Sequence, residues 1–177
     1  LKSFIDVSLG LTLTDTLWVK DDNSDADWNS VNLYDNEFSE IVSQTAFMGG
    51  ISDFSFKTTS PEYGTDGMLP KCWVRRSDGI YLLKGGTKGF SGAGYEPYSE
   101  YFVSQIENAL GIDHVDYDLD MYHDRLVSTC KLMTTKNISM FPSVYFFRNC
   151  SELPEYLACA DKLGAGNKLR DMFILDA

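Results

Sequence analysis

The sequence predicts an α+β fold in which a small antiparallel sheet packs beside one helix and is flanked by helical segments. Three observations carry this prediction. Two apolar runs surround the turn tripeptide Ser77-Asp78-Gly79, a strong signal for a β-hairpin. Pro97 then opens an amphipathic helix that Gly111 closes. Two further strand-like segments, 114–119 and 125–133, follow the helix and complete the sheet.

The first 57 residues are predicted to form an N-terminal leader segment of mixed helix and strand. Residues 1–9 carry apolar side chains at helical spacing. Residues 16–19, Thr-Leu-Trp-Val, have the composition of a short strand. Residues 21–27 are polar and rich in turn-forming types, so we expect a surface loop there.

A second helix is predicted near the end of this leader. Asn36 is of a type that caps helices, and Gly49-Gly50 is a stop signal. The side chains expected on its apolar face are Phe38, Ile41, Val42 and Phe47.

Residues 58–149 are predicted to be a separate lobe. It begins with a loop marked by Pro61, Gly64 and Gly67, and the hairpin should span residues 71–84. A flexible glycine-rich stretch, 85–94, leads into the helix that Pro97 opens. The residues expected on one apolar face of that helix are Tyr101, Phe102, Ile106, Ala109 and Leu110.

The last segment, residues 150–177, is predicted to be helical, with helices at 152–163 and 169–177. The final apolar run carries no stop signal, so we expect the chain to be a piece of a longer protein.

Composition excludes several classes of function. The net charge of -11 argues against a broad surface for nucleic-acid phosphates. No apolar run approaches the length of a membrane span. We expect a cytoplasmic protein, because the cysteine pattern favours reduced thiols over a disulfide framework. The four cysteines form no C-x-x-C pair, which predicts reduced thiols and no structural zinc site.

Two weaker motifs lack residues that a calcium loop or a dinucleotide-binding turn requires. Asp21, Asn23 and Asp25 resemble the start of a calcium loop, but Ala26 and Asn32 occupy positions that require Gly and Glu. The glycine-rich stretch lacks the spacing of a dinucleotide-binding turn. We therefore predict no metal held by protein ligands alone.

The order of elements from Thr65 onward suggests a protein-kinase small lobe: hairpin, strand ending in Lys84, helix carrying Glu100, then two strands. In such lobes a strand lysine holds the nucleotide phosphates and a helix glutamate orients it. In isolation, Lys84 could be a solvated strand-end lysine, and Glu100 a first-turn glutamate favoured by the helix dipole.

Three runs then resemble HipA-like serine/threonine kinases. They are Thr65-Asp66-Gly67-Met68-Leu69-Pro70-Lys71, Tyr81-Leu82-Leu83-Lys84-Gly85-Gly86 and Glu96-Pro97-Tyr98-Ser99-Glu100-Tyr101-Phe102. The resemblance implies that Gly67 and Lys71 lie near the phosphates of ATP, that Lys84 contacts those phosphates and that Glu100 holds Lys84. It also places Ser128 and Cys130 in a hinge strand whose backbone contacts adenine.

The segment 170–177 resembles the helix before this family's catalytic loop. The resemblance therefore implies that the catalytic and metal-binding aspartates lie beyond residue 177, that Mg²⁺ acts only in the full-length protein, and that this chain alone transfers no phosphate. A protein substrate or an antitoxin-like partner is expected. The alternatives are a regulatory or interaction module, such as a pseudokinase, and an accessory domain of a mobile element.

Overall fold

The computed structural model describes residues 2–49, 59–65, 67–88, 94–140, 148, 150–162 and 164. The chain forms two compact units, Leu1–Ser139 and Met140–Ala177. The domain boundaries predicted at 57/58 and 149/150 touch residues outside the described ranges.

The first unit is built on a four-stranded sheet with the strand order β1-β2-β4-β3. Each neighbouring pair is antiparallel. The strands are β1 (Lys71–Arg76), β2 (Gly79–Gly85), β3 (Asp118–Tyr122) and β4 (Arg125–Lys131). The sheet and the surrounding helices agree with the predicted α+β class.

The predicted hairpin is confirmed. Arg76 pairs with Gly79, so a two-residue turn of Ser77 and Asp78 joins β1 to β2. Gly79 has φ of +153°, and a Cβ at this position would lie 2.6 Å from Cε of Lys131. The positive φ favours glycine at this position, and a larger residue would displace the flexible side chain of Lys131.

A second hairpin joins β3 to β4, where the sequence predicted two strands but no specific turn. Tyr122 pairs with Arg125 across His123 and Asp124, whose φ angles are +46° and +59°. Positive φ at both turn residues matches the twist of the strands. The strand predicted at 114–119 begins only at Asp118, so that segment was placed too early in the chain.

The helix predicted after Pro97 is confirmed as α4 (Glu96–Leu110). Gly111 ends it in the left-handed conformation, with φ of +68°. The orientation expected for this helix is wrong, because Phe102, Ile106 and Leu110 are 61%, 58% and 67% exposed. Its buried residues are Pro97 and Ser104, so the helix turns a largely polar side toward the sheet.

A close backbone contact fixes the start of α4 next to the end of β2. A Cβ on Gly86 would lie 2.6 Å from Cα of Gly94, so only glycine permits this approach. The backbone N–H of Thr87 donates to Oε2 of Glu96 at 3.2 Å, and the Thr87 hydroxyl donates to Oε1. These contacts place the first turn of α4 beside Lys84.

The leader contains α1 (Lys2–Ser8), α2 (Trp28–Val31) and α3 (Glu40–Met48), and a 3₁₀ turn follows at Pro61–Gly64. Ser39, and not Asn36, caps α3, since its hydroxyl accepts from the backbone N–H of Val42. Gly49 ends α3 as predicted.

One other expectation for the leader needs correction, and Asn36 has a different role. The strand predicted at 16–19 does not form, although Val19 N donates to Leu9 O at 2.8 Å. Asn36 instead uses its amide to donate to the backbone oxygens of Asn29 and Asn32. Asn36, which was expected to start a helix, therefore holds the preceding turn through two hydrogen bonds.

Both sides of the sheet contribute to the core of this unit. One cluster joins leader residues to two sheet residues; it consists of Leu11, Leu13, Leu33, Trp73 and Ile80. The second packs Phe47 of α3 against Cys72, Leu83 and Val127. The leader thus packs on the sheet.

The second unit contains α5 (Leu153–Lys162), which agrees with the helix predicted at 152–163. The helix predicted at 169–177 lies outside the described residues. Cys150 and Cys159 are free thiols whose sulfurs lie 3.7 Å apart. Among the described residues of the whole chain, the helices are too short or too polar for any to cross a membrane.

Candidate functional site

The site is centred on Lys84, near the end of β2. Its Nζ lies 2.7 Å from Oε1 of Glu100, which belongs to the second turn of α4. The two side chains are 20% and 27% exposed, so the ion pair is partly withdrawn from water. The sequence prediction that these two residues approach each other across the sheet–helix interface is confirmed.

Tyr117 provides a second partner for Lys84. Lys84 Nζ donates to the Tyr117 Oη at 2.6 Å, and it lies 4.7 Å from the centre of the Tyr117 ring. Tyr117 precedes β3 and carries no motif that marks it in the sequence. Only the packing of the α4–β3 connection brings it to Lys84, which explains why sequence reasoning missed it.

Ser128 holds the other side of the Glu100 carboxylate. It lies directly opposite Lys84 in the β2–β4 ladder, and its hydroxyl donates to Oε2 of Glu100. Both oxygens of Glu100 therefore accept a hydrogen bond. A carboxylate held at both oxygens has little freedom to rotate away from the lysine.

The pairing of β2 with β4 argues against the prediction that the backbone of Ser128 and Cys130 contacts adenine. Leu132 N donates to Ile80 O at 2.8 Å. Hydrogen-bonded pairs recur at every second residue of an antiparallel ladder, so the pairs Lys84–Ser128 and Leu82–Cys130 are also bonded. Because β2 already uses these backbone groups, we assign no adenine contact to them.

The side chain of Cys130 does reach the site. Burial raises the pKa of Cys130 above the usual range of a thiol, and the neighbouring Tyr117 opposes this rise. The thiol is therefore protonated at neutral pH. Tyr117, Lys84, Glu100 and Ser128 form one continuous chain of hydrogen bonds across the interface.

Charge at the site follows from burial and these contacts. Burial alone would lower the pKa of Lys84, but the hydrogen bonds to Glu100 and Tyr117 outweigh it, so the pKa of Lys84 is raised. Burial also raises the pKa of Tyr117, against the opposing effect of Lys84. At neutral pH the site therefore holds a charged ammonium beside a neutral phenol.

Ser104 supports the segment that carries Tyr117. Its side chain is almost fully buried, and its hydroxyl accepts from the backbone N–H of Tyr117 at 3.0 Å. The same oxygen lies 3.2 Å from Nε2 of His114, whose Nδ1 is 2.7 Å from the carbonyl of Ile112. Since a carbonyl only accepts, Nδ1 carries a proton, and in the neutral ring Ser104 donates to Nε2.

Gly67 and Lys71 lie together at the start of β1. Gly67 has φ of +110°, and a Cβ there would lie 2.4 Å from Nζ of Lys71, so a larger residue would displace the ammonium. Lys71 pairs directly with Lys84 across the hairpin, which puts both side chains on the same side of the sheet. The structure thus groups the candidate residues in two neighbouring sets.

An open cleft of about 460 Å³ borders the site between α4 and the segment before β3. Its walls include Val103, Val115 and Tyr117, and its acidic side chains are Glu100, Glu107 and Asp113. Glu100 therefore contacts Lys84 on one side and lines this cleft on the other.

Within the described ranges, no group of three or more His, Cys, Asp or Glu side chains is arranged to hold a metal ion. Comparison with known protein families, with curated proteins and with solved structures finds no match to this chain.

Proposed function

We propose that the first unit is the nucleotide-binding small lobe of a HipA-like, ATP-dependent serine/threonine kinase. The observation that carries the proposal is the ion pair between Lys84 at a strand end and Glu100 on the next helix. In kinases this pairing holds a lysine on the phosphates of ATP. The succession of β2, α4, β3 and β4, with β4 between β2 and β3, supports the same assignment.

The chemistry of Lys84 fits phosphate binding. An ammonium group has three N–H donors. Within the described structure, one donates to Glu100 and one to Tyr117. The third can donate to a phosphate oxygen, and the raised pKa keeps the group charged at neutral pH. Lys71, opposite Lys84 in the ladder, adds a second positive charge on the same side of the sheet.

Each neighbour has a role in this proposal. Glu100 orients Lys84, and Ser128 fixes Glu100. Tyr117 limits the movement of the ammonium from the opposite side. Mg²⁺ would neutralise phosphate charge in the full-length kinase, and we assign it no ligands among the described residues.

A second candidate function is an interaction module without phosphoryl transfer, as in a pseudokinase. The exposed apolar side of α4 favours it, because large apolar patches are typical of protein–protein contacts. The two functions are compatible in one molecule. A kinase lobe requires nucleotide binding, whereas an interaction module does not.

The test is binding of a fluorescent ATP analogue to wild type and to Lys84→Met. We expect the variant to bind at least about 10-fold more weakly, because a hydrogen bond to a charged group contributes about 1.5–3 kcal/mol and about 1.4 kcal/mol corresponds to that factor. Lys131→Met is the matched control, because Lys131 lies on β4 and pairs with exposed Asp78. Equal affinity of wild type and Lys84→Met, or no binding by wild type, would contradict the proposal.

A further inference from the structure

The outer side of α4 carries a continuous apolar surface, which we call the α4 stripe. It consists of Tyr95, just before the helix, with Tyr98, Phe102, Ile106 and Leu110. Residues three and four positions apart lie on the same side of a helix, so these side chains form one row. They are between 41% and 67% exposed.

Exposed apolar residues occur singly on most surfaces, but a full row on one helix is unusual. The opposite side of α4 is where Glu100 and Ser104 make their hydrogen bonds. The helix therefore directs its polar side inward and its apolar side outward. This inversion means that α4 does not use its most apolar side to fold the unit.

The acidic cleft lies directly beside this row. Ser99 and Val103 line the cleft and also flank the α4 stripe, and Val103 is 52% exposed. Residues 94–124 contain eight carboxylates and no lysine or arginine. A ligand lying along the stripe thus meets an apolar row with negative charge along one edge.

We propose that the α4 stripe and the cleft together dock a basic amphipathic segment of a partner protein. Apolar side chains of that segment would pack on Phe102 and Ile106, in the manner of a helix laid against an apolar surface. A lysine or arginine at its edge would enter the cleft beside Glu107. The alkyl stem of that residue suits the valine and tyrosine walls, and its charged end suits the carboxylates.

Charge favours a basic segment over a second copy of the chain as the occupant of the α4 stripe. Each copy carries a net charge of -11, and two copies facing through α4 would bring their carboxylates together. A basic segment gains from the same field, which also speeds its encounter with the surface. The docking surface does not depend on nucleotide binding, so either proposal can fail alone.

The test uses two labelled model peptides with the same leucine pattern, one with lysine and one with glutamate at all polar positions. Fluorescence anisotropy should report binding of the lysine peptide only. The double variant Phe102→Ser, Ile106→Ser should weaken it at least 10-fold, whereas Leu17→Ser, which removes another exposed side chain, should not. Glu107→Gln should weaken it several-fold more than Asp22→Asn, which makes the same change in net charge.

Several results would overturn the proposal. They are no binding of the lysine peptide, equal binding of both peptides, or an affinity that the double variant leaves unchanged. Sedimentation velocity adds a further check on the occupant. A wild-type dimer that the Phe102→Ser, Ile106→Ser variant converts to monomer would assign the stripe to a second copy instead.

Discussion

Removal of the Glu100 carboxylate is the sharpest test of how the site is held together. Glu100→Gln keeps the shape of the side chain but removes the negative charge that faces the Lys84 ammonium. Exposed ion pairs contribute about 0.2–1 kcal/mol, and breaking a fully buried pair costs about 3–5 kcal/mol. The Lys84–Glu100 pair, at 2.7 Å with side chains 20% and 27% exposed, lies between these limits. We therefore expect a loss of about 2 kcal/mol.

The measurement is a double-mutant cycle of Lys84→Met and Glu100→Gln, followed by urea and thermal unfolding. The single Glu100→Gln change should lower Tm by roughly 6–8 °C for a unit of this size. The coupling energy should be about 1–2 kcal/mol. The matched control is the same cycle on Lys131 and Asp78. Their Nζ–Oδ2 distance is 3.4 Å and their side chains are 55% and 60% exposed. This pair should give a coupling energy below about 0.5 kcal/mol. Equal coupling in the two cycles would refute the view that the Lys84 pair is specially stabilised.

Two further predictions concern the same interface. Ser104→Ala should lower the free energy of unfolding by about 1–3 kcal/mol, because the backbone N–H of Tyr117 loses the buried hydroxyl that accepts its hydrogen bond. Ser99→Ala, an exposed change on the same helix, should have little effect, and similar unfolding curves for the two variants would contradict this role. The pKa of Lys84 is raised in the folded protein. Its contribution to stability is therefore fully present below the pKa of an unfolded lysine, about 10.4, and is lost as pH rises through the pKa of Lys84 in the folded protein. The stability gap between wild type and Lys84→Met should therefore stay constant from neutral pH to about pH 10 and then narrow, and a gap that widens at higher pH would reverse the sign of the shift.

The parts of the site that the sequence predicted are those with local signals. The β1–β2 hairpin follows from two apolar runs around a glycine turn, and α4 follows from Pro97 and Gly111. Once both elements are placed, the short connection between them brings Lys84 and Glu100 together. That pairing needed no knowledge of distant contacts.

Other parts depend on tertiary contacts that no local pattern encodes. The rule that an apolar side faces the core fails for α4, because hydrogen bonds of Glu100 and Ser104 position its inward side. Tyr117 reaches Lys84 only through the support of Ser104. No turn was predicted at His123 and Asp124, which both adopt positive φ; these residue types favour that conformation but do not by themselves fix it.

The close approach of Gly86 and Gly94 has a consequence for protein engineering. Because the two backbones touch, and because Thr87 binds Glu96, the ends of the intervening segment are fixed independently of its length. Loop-closure entropy grows slowly, by only about 0.6 kcal/mol for each doubling of length. A reporter sequence spliced after Lys88 should therefore leave the neighbouring strand and helix in place, which makes this position a suitable attachment point for a fluorescent or affinity label.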